Sequence, residues 1–333
     1  MKKIVLIGGA GFIGHNLALK LKSRGHKVLI IDGLNVNNFL SIIDPSIANK
    51  KLYFEMLNQR INLLNQNKIE LVVQDARNYF ALTSIVTKFN PDVIVHLAAV
   101  SHANKSNKDP HSTFDHSLRT LENALDIARN KKTHFIYLSS SMVYGNFKKE
   151  KVDENEICSP IGIYGTLKYS GELIVKSYNH VFNLPYTIIR PSALYGERCV
   201  SRRVGQIFIE NVIQGKKIII NGTGEEKLDF TYIEDLTDGI SKCCENKKAK
   251  NQTFNLTYGE SRSVNELIKI LKKSFPKLKA EYTNKEKFVP ERGTLDVSRA
   301  KKLINYKPKF SIDKGYRAYI EWYKKMYRQL KIK

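Results

Sequence analysis

The segment SSSMVYG occupies residues 139–145, and YGTLK follows at residues 164–168. Hydroxyls, a phenol and an ammonium are side chains that accept, donate and relay protons, so together they suit acid–base work on an alcohol. Lys168 lies four residues after Tyr164, a spacing that puts both on one face of a helix. A buried strand running into a polar turn, with an ordinary helix start beyond it, would use the same residues without chemistry. A second cluster favours chemistry. GGAGFIG at residues 8–14 holds Gly8, Gly11 and Gly14 between an apolar run and a helical pattern. Glycine permits the tight turn and lets the backbone approach a pyrophosphate. The helix that follows offers the N–H groups of Phe12, Ile13 and Gly14 to that anion. The next apolar run ends in Asp32, 18 residues after Gly14. An acid there accepts hydrogen bonds from adenosine ribose hydroxyls and repels a 2′-phosphate, which predicts NAD rather than NADP.

A scaffold must bring these clusters together. Short apolar runs (KKIVLIGG, HKVLIIDG, ELVVQDAR, PDVIVHLAAV, THFIYLSSS, PYTIIRPSALYG) recur through the first ~190 residues. Between them lie helical patterns such as FIGHNLALKLKSRG, STFDHSLRTLENALDIARN and YGTLKYSGELIVKSYNHVF. Such alternation predicts an α/β fold: a Rossmann-type doubly wound parallel sheet, helices on both faces, with a smaller C-terminal α/β substrate lobe. The expected division is 1–190 for cofactor binding, with some later segments returning to it, and 191–333 mainly for the substrate. The 34–67 connection exceeds what a tight loop needs. Its Leu52, Phe54, Met56, Leu57, Ile61 and Leu64 are spaced for a helical elaboration, a place where specificity often resides.

Composition narrows the function classes. The chain has 333 residues, 42% hydrophobic, ample for a folded core. Its net charge is +23, from 55 Lys+Arg against 32 Asp+Glu. The cations are scattered and mostly lysine, which fits a solvated surface and argues against a nucleic-acid partner. No apolar run reaches the ~20 residues of a membrane span. The N-terminal apolar stretch is broken early by glycines, so it reads as a strand rather than a signal peptide, and a cytoplasmic protein is expected. Cys158, Cys199, Cys243 and Cys244 show no metal spacing, so reduced thiols and no metal are expected.

The glycine set, HLAA (96–99), SSSMVYG, YGTLK and RPSALYG (190–196), in this order, resembles the extended short-chain dehydrogenase/reductase family, within it the nucleotide-sugar epimerase/dehydratase group. The resemblance runs from Ile4 to about Trp322. It implies that Tyr164 is the general acid/base and Lys168 its partner, the ammonium and the nicotinamide charge drawing the phenol down from a pKa of roughly 10. It implies that Ser140 orients the reacting sugar hydroxyl. Asp75 and Ala76 then lie on the adenine side, Leu97, Ala98 and Ala99 along the diphosphate and ribose, and Pro191 and Ser192 near the nicotinamide carboxamide. Substrate contacts are expected at Ser101, Ser140, Ser141, Met142, Ala193, Lys227 and Arg292, with Arg292 clamping the diphosphate.

Departures from the family pattern fall on the substrate side. Ala193 stands where many relatives have asparagine. Leu228 replaces an arginine, with Lys227 beside it as the substitute, and Ser117 replaces another asparagine. In the dehydratases of the group an Asp-Glu pair follows the catalytic hydroxyl; here Ser141 and Met142 occupy those places, which disfavours dehydration. Met142 also replaces the glutamate common in decarboxylases. Hydride chemistry at a secondary alcohol remains, and the resemblance implies an NAD-dependent nucleotide-sugar 4-epimerase. The alternatives are a C4 dehydrogenase or ketoreductase, including one for heptoses or deoxy sugars, and a non-catalytic nucleotide-sugar or NAD sensor. The resemblance further implies a homodimer that packs the helix containing Asn123 and the helix after Tyr164 into a four-helix bundle.

Overall fold

In the computed structural model, which describes residues 1–43, 47–100, 103–284 and 290–332, seven parallel strands form one sheet. They are β1 (Lys3–Ile7), β2 (Lys27–Asp32), β3 (Glu70–Val73), β4 (Val93–His96), β5 (His134–Leu138), β6 (Tyr186–Arg190) and β7 (Gln252–Asn255). Their order across the sheet is β7-β6-β5-β4-β1-β2-β3. Ile4, Val5, Leu6 and Ile7 of β1 are all fully buried. A strand that is apolar on both faces needs cover on both, and helices supply it. On one face lie α1 (Phe12–Ser23) and, from later in the chain, Ile233–Glu245, which share a core with Leu6, Ile30 and Val95. On the other lie α3 (Tyr79–Phe89), α4 (Thr120–Arg129) and α5 (Gly162–Phe182), packed with Val5, Ile94 and Phe135; α2 (Lys50–Gln66) belongs to the 34–67 connection. This is the expected Rossmann-type sheet.

Two differences from the sequence reading are instructive. Helix α3 was not anticipated between the 70–77 and 91–100 runs. Thr83, Ile85, Val86 and Thr87 are β-branched and blur its period. Its ends are nevertheless well marked: the Asn78 side chain caps the N-terminus and Asn90 takes the left-handed conformation at the C-terminus. The helix expected from Ser112 to Asn130 is interrupted by a π-turn at Asp115–Arg119 before α4 begins.

The remaining elements build a second core. It joins α2, α6 (Val204–Ile213), α8 (Val264–Ser274) and α9 (Ile312–Leu330) to short strand pairs through residues such as Leu57, Phe208, Ile220, Leu267 and Tyr319, while Ile233–Glu245, α7, stays with the sheet core. A reciprocal Ser263–Glu266 capping box starts α8. Thus the 34–67 connection is helical, as expected, and it packs into this second core. The chain also returns: β7 pairs with β6 in parallel register. Among the described residues no helix is long and apolar enough to cross a membrane.

Candidate active site

The sheet order reverses between β1 and β4, so their carboxyl ends diverge and leave a crevice. Gly8 follows β1 with φ 79°. A Cβ there would sit 2.6 Å from the Ala98 nitrogen and 2.7 Å from its Cα, so only glycine lets the loop after β4 close on this turn. A side chain at Gly14 would run into the Gly9 backbone, so α1 seats directly on the turn. Gly11 is the N-cap of α1 and no side chain caps the helix. Its first-turn N–H groups, with the positive end of the helix dipole, are suited to a phosphate.

Gly8, Gly11, Phe12, Ile13 and Gly14 line one cleft with Asp32, Asp75, Ala76, Leu97, Ala98 and Ala99. The cofactor-side residues expected between Gly8 and Ala99 therefore all meet in one place. Asp32 Oδ2 accepts from the Ala10 N–H at 2.9 Å and Oδ1 from the Leu34 N–H at 2.7 Å. Burial raises the Asp32 carboxyl above its ordinary value, and these two N–H groups oppose the rise. Asp75 is held below the usual carboxylate range by Arg77, whose Nη2 donates to Oδ2 at 2.6 Å. Two carboxylates at the cleft's acidic end suit ribose hydroxyls and repel a further phosphate. The residues present fit a dinucleotide.

Pro191 and Ser192 line a second cavity with Ser140, Ser141, Met142, Tyr164, Lys168, Ala193 and Arg292. Ile13, Leu97, Ala99 and Arg203 line both spaces, so the two are continuous. Ser140 follows the end of β5 and caps the single turn Ser141–Tyr144, its Oγ accepting from the Met142 N–H at 3.2 Å. Gly165 allows α5 to start against that turn: a Cβ at 165 would lie 2.8 Å from the Met142 carbonyl oxygen. Tyr164 is thereby brought into hydrogen-bond contact with Ser140.

Lys168 is buried one helical turn further on. Its Nζ donates to the Leu138 carbonyl at 2.7 Å and lies 5.2 Å from the Tyr137 ring centre. Burial lowers the ammonium to about 8, against the pull of Glu172. Glu172 is itself fixed: Arg190 donates Nη2 to Oε2 at 2.6 Å and Nε to Oε1 at 2.9 Å, and Ser139 Oγ donates to Oε1 at 2.5 Å. The phenol behaves differently from the expectation. In the protein alone burial raises Tyr164 above its ordinary value, and the opposing influences are the Arg203 charge and the Ser140 hydrogen bond. The Lys168 ammonium is directed at the strand-end carbonyl.

Arg292 also lines this cavity, and its Nε is buried without a hydrogen-bond partner among the described residues. Burial and the nearby Arg203 charge lower the Arg292 guanidinium to about 10. Two guanidiniums that repel each other are relieved by an anion between them. Arg203 is also the N-cap of α6, which has no side-chain cap, and Val204 at its start lines the cavity.

One expected contact is corrected. Lys227 is exposed and does not line the cavity, because strand alternation on Lys227–Leu228 turns Leu228 inward instead. Ser101 lies outside the described residues. Sequence reasoning missed Arg60, Arg202 and Arg203. Arg202 and Arg203 are legible as a cationic pair entering a helix, whereas Arg60 is masked within an amphipathic pattern.

A model of the NAD dependent epimerase/dehydratase family matches residues 4–257. The chain is 30% identical over 330 residues to a Bacillus subtilis protein named uncharacterized UDP-glucose epimerase YtcB, covering 98% of this chain and 99% of that one. It is 28% identical over 324 residues to the UDP-glucuronate 4-epimerase of Thermodesulfobacterium geofontis, covering 96% and 95%. Among solved structures, it superposes on the UDP-glucuronic acid 4-epimerase of Bacillus cereus, determined with UDP-glucuronic acid and NAD. That match has a TM-score of 0.88 at 27% identity and covers 98% of this chain and 100% of that chain.

Proposed function

For this chain, which belongs to the NAD-dependent epimerase/dehydratase family, we propose the inversion of C4 in a nucleoside-diphosphate sugar, with NAD as cofactor. One observation carries the choice of reaction. The cavity that brings Ser140, Tyr164 and Lys168 together is lined at the next two positions by Ser141 and Met142. Among the described residues its one lining carboxylate is Glu226, which already accepts from the Gly224 N–H at 2.9 Å and the Thr223 N–H at 3.3 Å. Removing water across two carbons needs an acid and a base, and this wall supplies hydroxyls and a thioether instead.

NAD, bound in the cleft, would supply a reversible acceptor for the hydride on C4 of the sugar. The chain does the rest. Tyr164 takes the proton of the C4 hydroxyl and gives it back, Ser140 holds that hydroxyl in line, and Lys168, tied to the Leu138 carbonyl, adds a buried positive charge to the same cavity wall. Arg203, Arg292 and the start of α6 hold the diphosphate, so the oxidised sugar can present its other face while the nucleotide stays anchored. Residues 1–190 with the returning β7 carry the cofactor, and residues 191–333 carry most of the substrate contacts. This reading assigns the protein to the cytoplasm, where NAD and nucleotide sugars are made and where its free cysteines stay reduced. It also assigns a homodimer through α5, whose Leu173 and Val181 are 48% and 64% exposed.

The test is product analysis by NMR and mass spectrometry with UDP-glucose, UDP-N-acetylglucosamine and UDP-glucuronate. The expected product has unchanged mass, inverted C4, and no net accumulation of NADH. A product lighter by two hydrogens would replace the epimerase with a dehydrogenase, and one lighter by water would overturn the argument from Ser141 and Met142.

A further inference from the structure

Helix α2 crosses the boundary between the two cores. Leu52, Tyr53, Met56 and Leu57 pack with the second core, whereas Leu64 packs with the sheet. Between them, on the same face, is Arg60, 1% exposed and lining the cofactor cleft. An arginine at such a seam needs a reason, since a guanidinium is costly to bury.

Its hydrogen bonds supply one. Nη2 donates to the Arg198 carbonyl at 2.5 Å and Nε to the same oxygen at 3.1 Å. Nη1 reaches the Ala10 carbonyl at 3.5 Å and the Asn37 carbonyl at 3.4 Å. These carbonyls belong to three different segments. Ala10 is in the glycine turn, Asn37 is in the loop that follows Asp32, and Arg198 is in the 196–203 loop that ends at Arg203 and α6. The first two bound the cofactor cleft and the third delivers a wall of the substrate cavity. No carboxylate lies within ion-pairing distance of Arg60 among the described residues. The neighbouring Arg198 is engaged elsewhere, with Glu197 at 3.0 Å and with Nε2 of the buried His15 at 3.3 Å. His15 Nδ1 in turn donates to the Gly11 carbonyl at 2.9 Å, a second link between the 196–203 loop and the glycine turn. The far end of α2 is equally committed: Tyr53 donates to the buried Glu210 of α6 at 2.7 Å.

We propose that Arg60 is a positioning residue that couples the two sites, holding the glycine turn and the 196–203 loop in one arrangement so that a nucleotide in the substrate cavity tightens NAD in the cleft. The inference rests on the reading of these two spaces as an NAD cleft and a nucleotide-sugar cavity. An epimerase needs such coupling, because a cofactor lost between the two hydride transfers strands the oxidised sugar. Only a planar fork spans three carbonyls at once; an ammonium keeps the charge and loses the geometry.

Equilibrium dialysis of NAD against the full chain, with and without saturating UDP, measures the coupling. In the unsubstituted protein UDP is expected to tighten NAD about tenfold, within the usual range for linked sites. In Arg60→Lys that ratio falls to about one while NAD alone still binds, because the charge remains. Tyr53→Phe loosens the same helix at its Glu210 end and keeps Arg60, so it lowers Tm but retains the ratio. A tenfold ratio in Arg60→Lys, a ratio of about one in the unsubstituted protein, or loss of the ratio in Tyr53→Phe each overturns the coupling role alone. Failure of the unsubstituted protein to bind NAD overturns the proposed function with it.

Discussion

At the residue scale, the proposed acid–base set stands in two different environments. Tyr164 contacts Ser140 and feels Arg203, while Lys168 is turned into the protein toward the Leu138 carbonyl. Tyr164→Phe removes the proton acceptor and nothing else, so turnover should fall by about 10²–10⁴ with NAD affinity unchanged, as separate kinetic and binding measurements would show. Because burial raises the phenol in the protein alone, activity should rise with pH along the alkaline side of neutrality, and Arg203→Gln should move that rise to higher pH. Lys168 makes a sharper prediction about stability. Its folded pKa of about 8 lies below the ordinary lysine value. A depressed folded pKa contributes stability that is present above the unfolded value and lost as pH falls through the folded one. The buried ammonium thus costs on the order of 3 kcal/mol near neutral pH, a cost that fades as the proton is lost. Lys168→Met should therefore be catalytically inert, and its Tm relative to the unsubstituted protein should be highest near pH 7 and decline steadily toward pH 10. A Tm difference that stays flat over that range would show the lysine to be comfortably solvated.

At the element scale, the strand–turn–helix at residues 3–23 is the most constrained part of the site. Gly8→Ala meets two obstacles, a φ of 79° and a 2.6 Å approach to the Ala98 nitrogen. The substitution should cost about 2–4 kcal/mol in urea unfolding and weaken NAD binding, since the loop after β4 must retreat from the cleft. This element was also the most legible from sequence, because glycine spacing, an apolar run and a terminal acid are local signals that agree. The residues proposed to hold the cofactor gather in one cleft because they follow the ends of β1, β2, β3 and β4, whose neighbouring places follow from the parallel order. The substrate side was not legible in this way. Whether Lys227 or Leu228 faces the cavity depends on the register of a two-residue strand against Arg262–Ser263, and no local pattern encodes it. Arg60 has the same character, since its function depends on carbonyls from segments far away in sequence. Helix α3 escaped because β-branched residues dominate its period, although its two asparagine caps were present in the sequence all along.

At the scale of the whole molecule, the net charge of +23 and the pattern of exposed apolar residues bear on assembly. The dimer implied by the family resemblance draws on two helices, and the structure treats them unequally. In α4 the apolar residues Leu121, Ala124, Leu125 and Ala128 are fully buried within the parent core, so this helix offers little apolar surface to a partner. In α5, Leu173 and Val181 stand exposed on one face, eight residues apart, and Phe80 of α3 is 84% exposed. The exposed apolar side chains of α5 suit the second copy of the chain proposed above. Like-charged copies repel through solvent, so association should strengthen as salt screens the lysine-rich surface. Leu173→Glu places a carboxylate at the centre of the shared face and should convert a dimer to a monomer in sedimentation equilibrium while leaving the fold intact. The site lies at the sheet's carboxyl edge, and Leu173 lies outside the residues that line it, so the monomeric variant should keep NAD binding and most of its turnover. A monomer mass for the unsubstituted protein across micromolar concentrations would remove the dimer from the proposal. A monomeric Leu173→Glu that had lost NAD would instead mean that the interface holds α5, and with it Tyr164 and Lys168, in place.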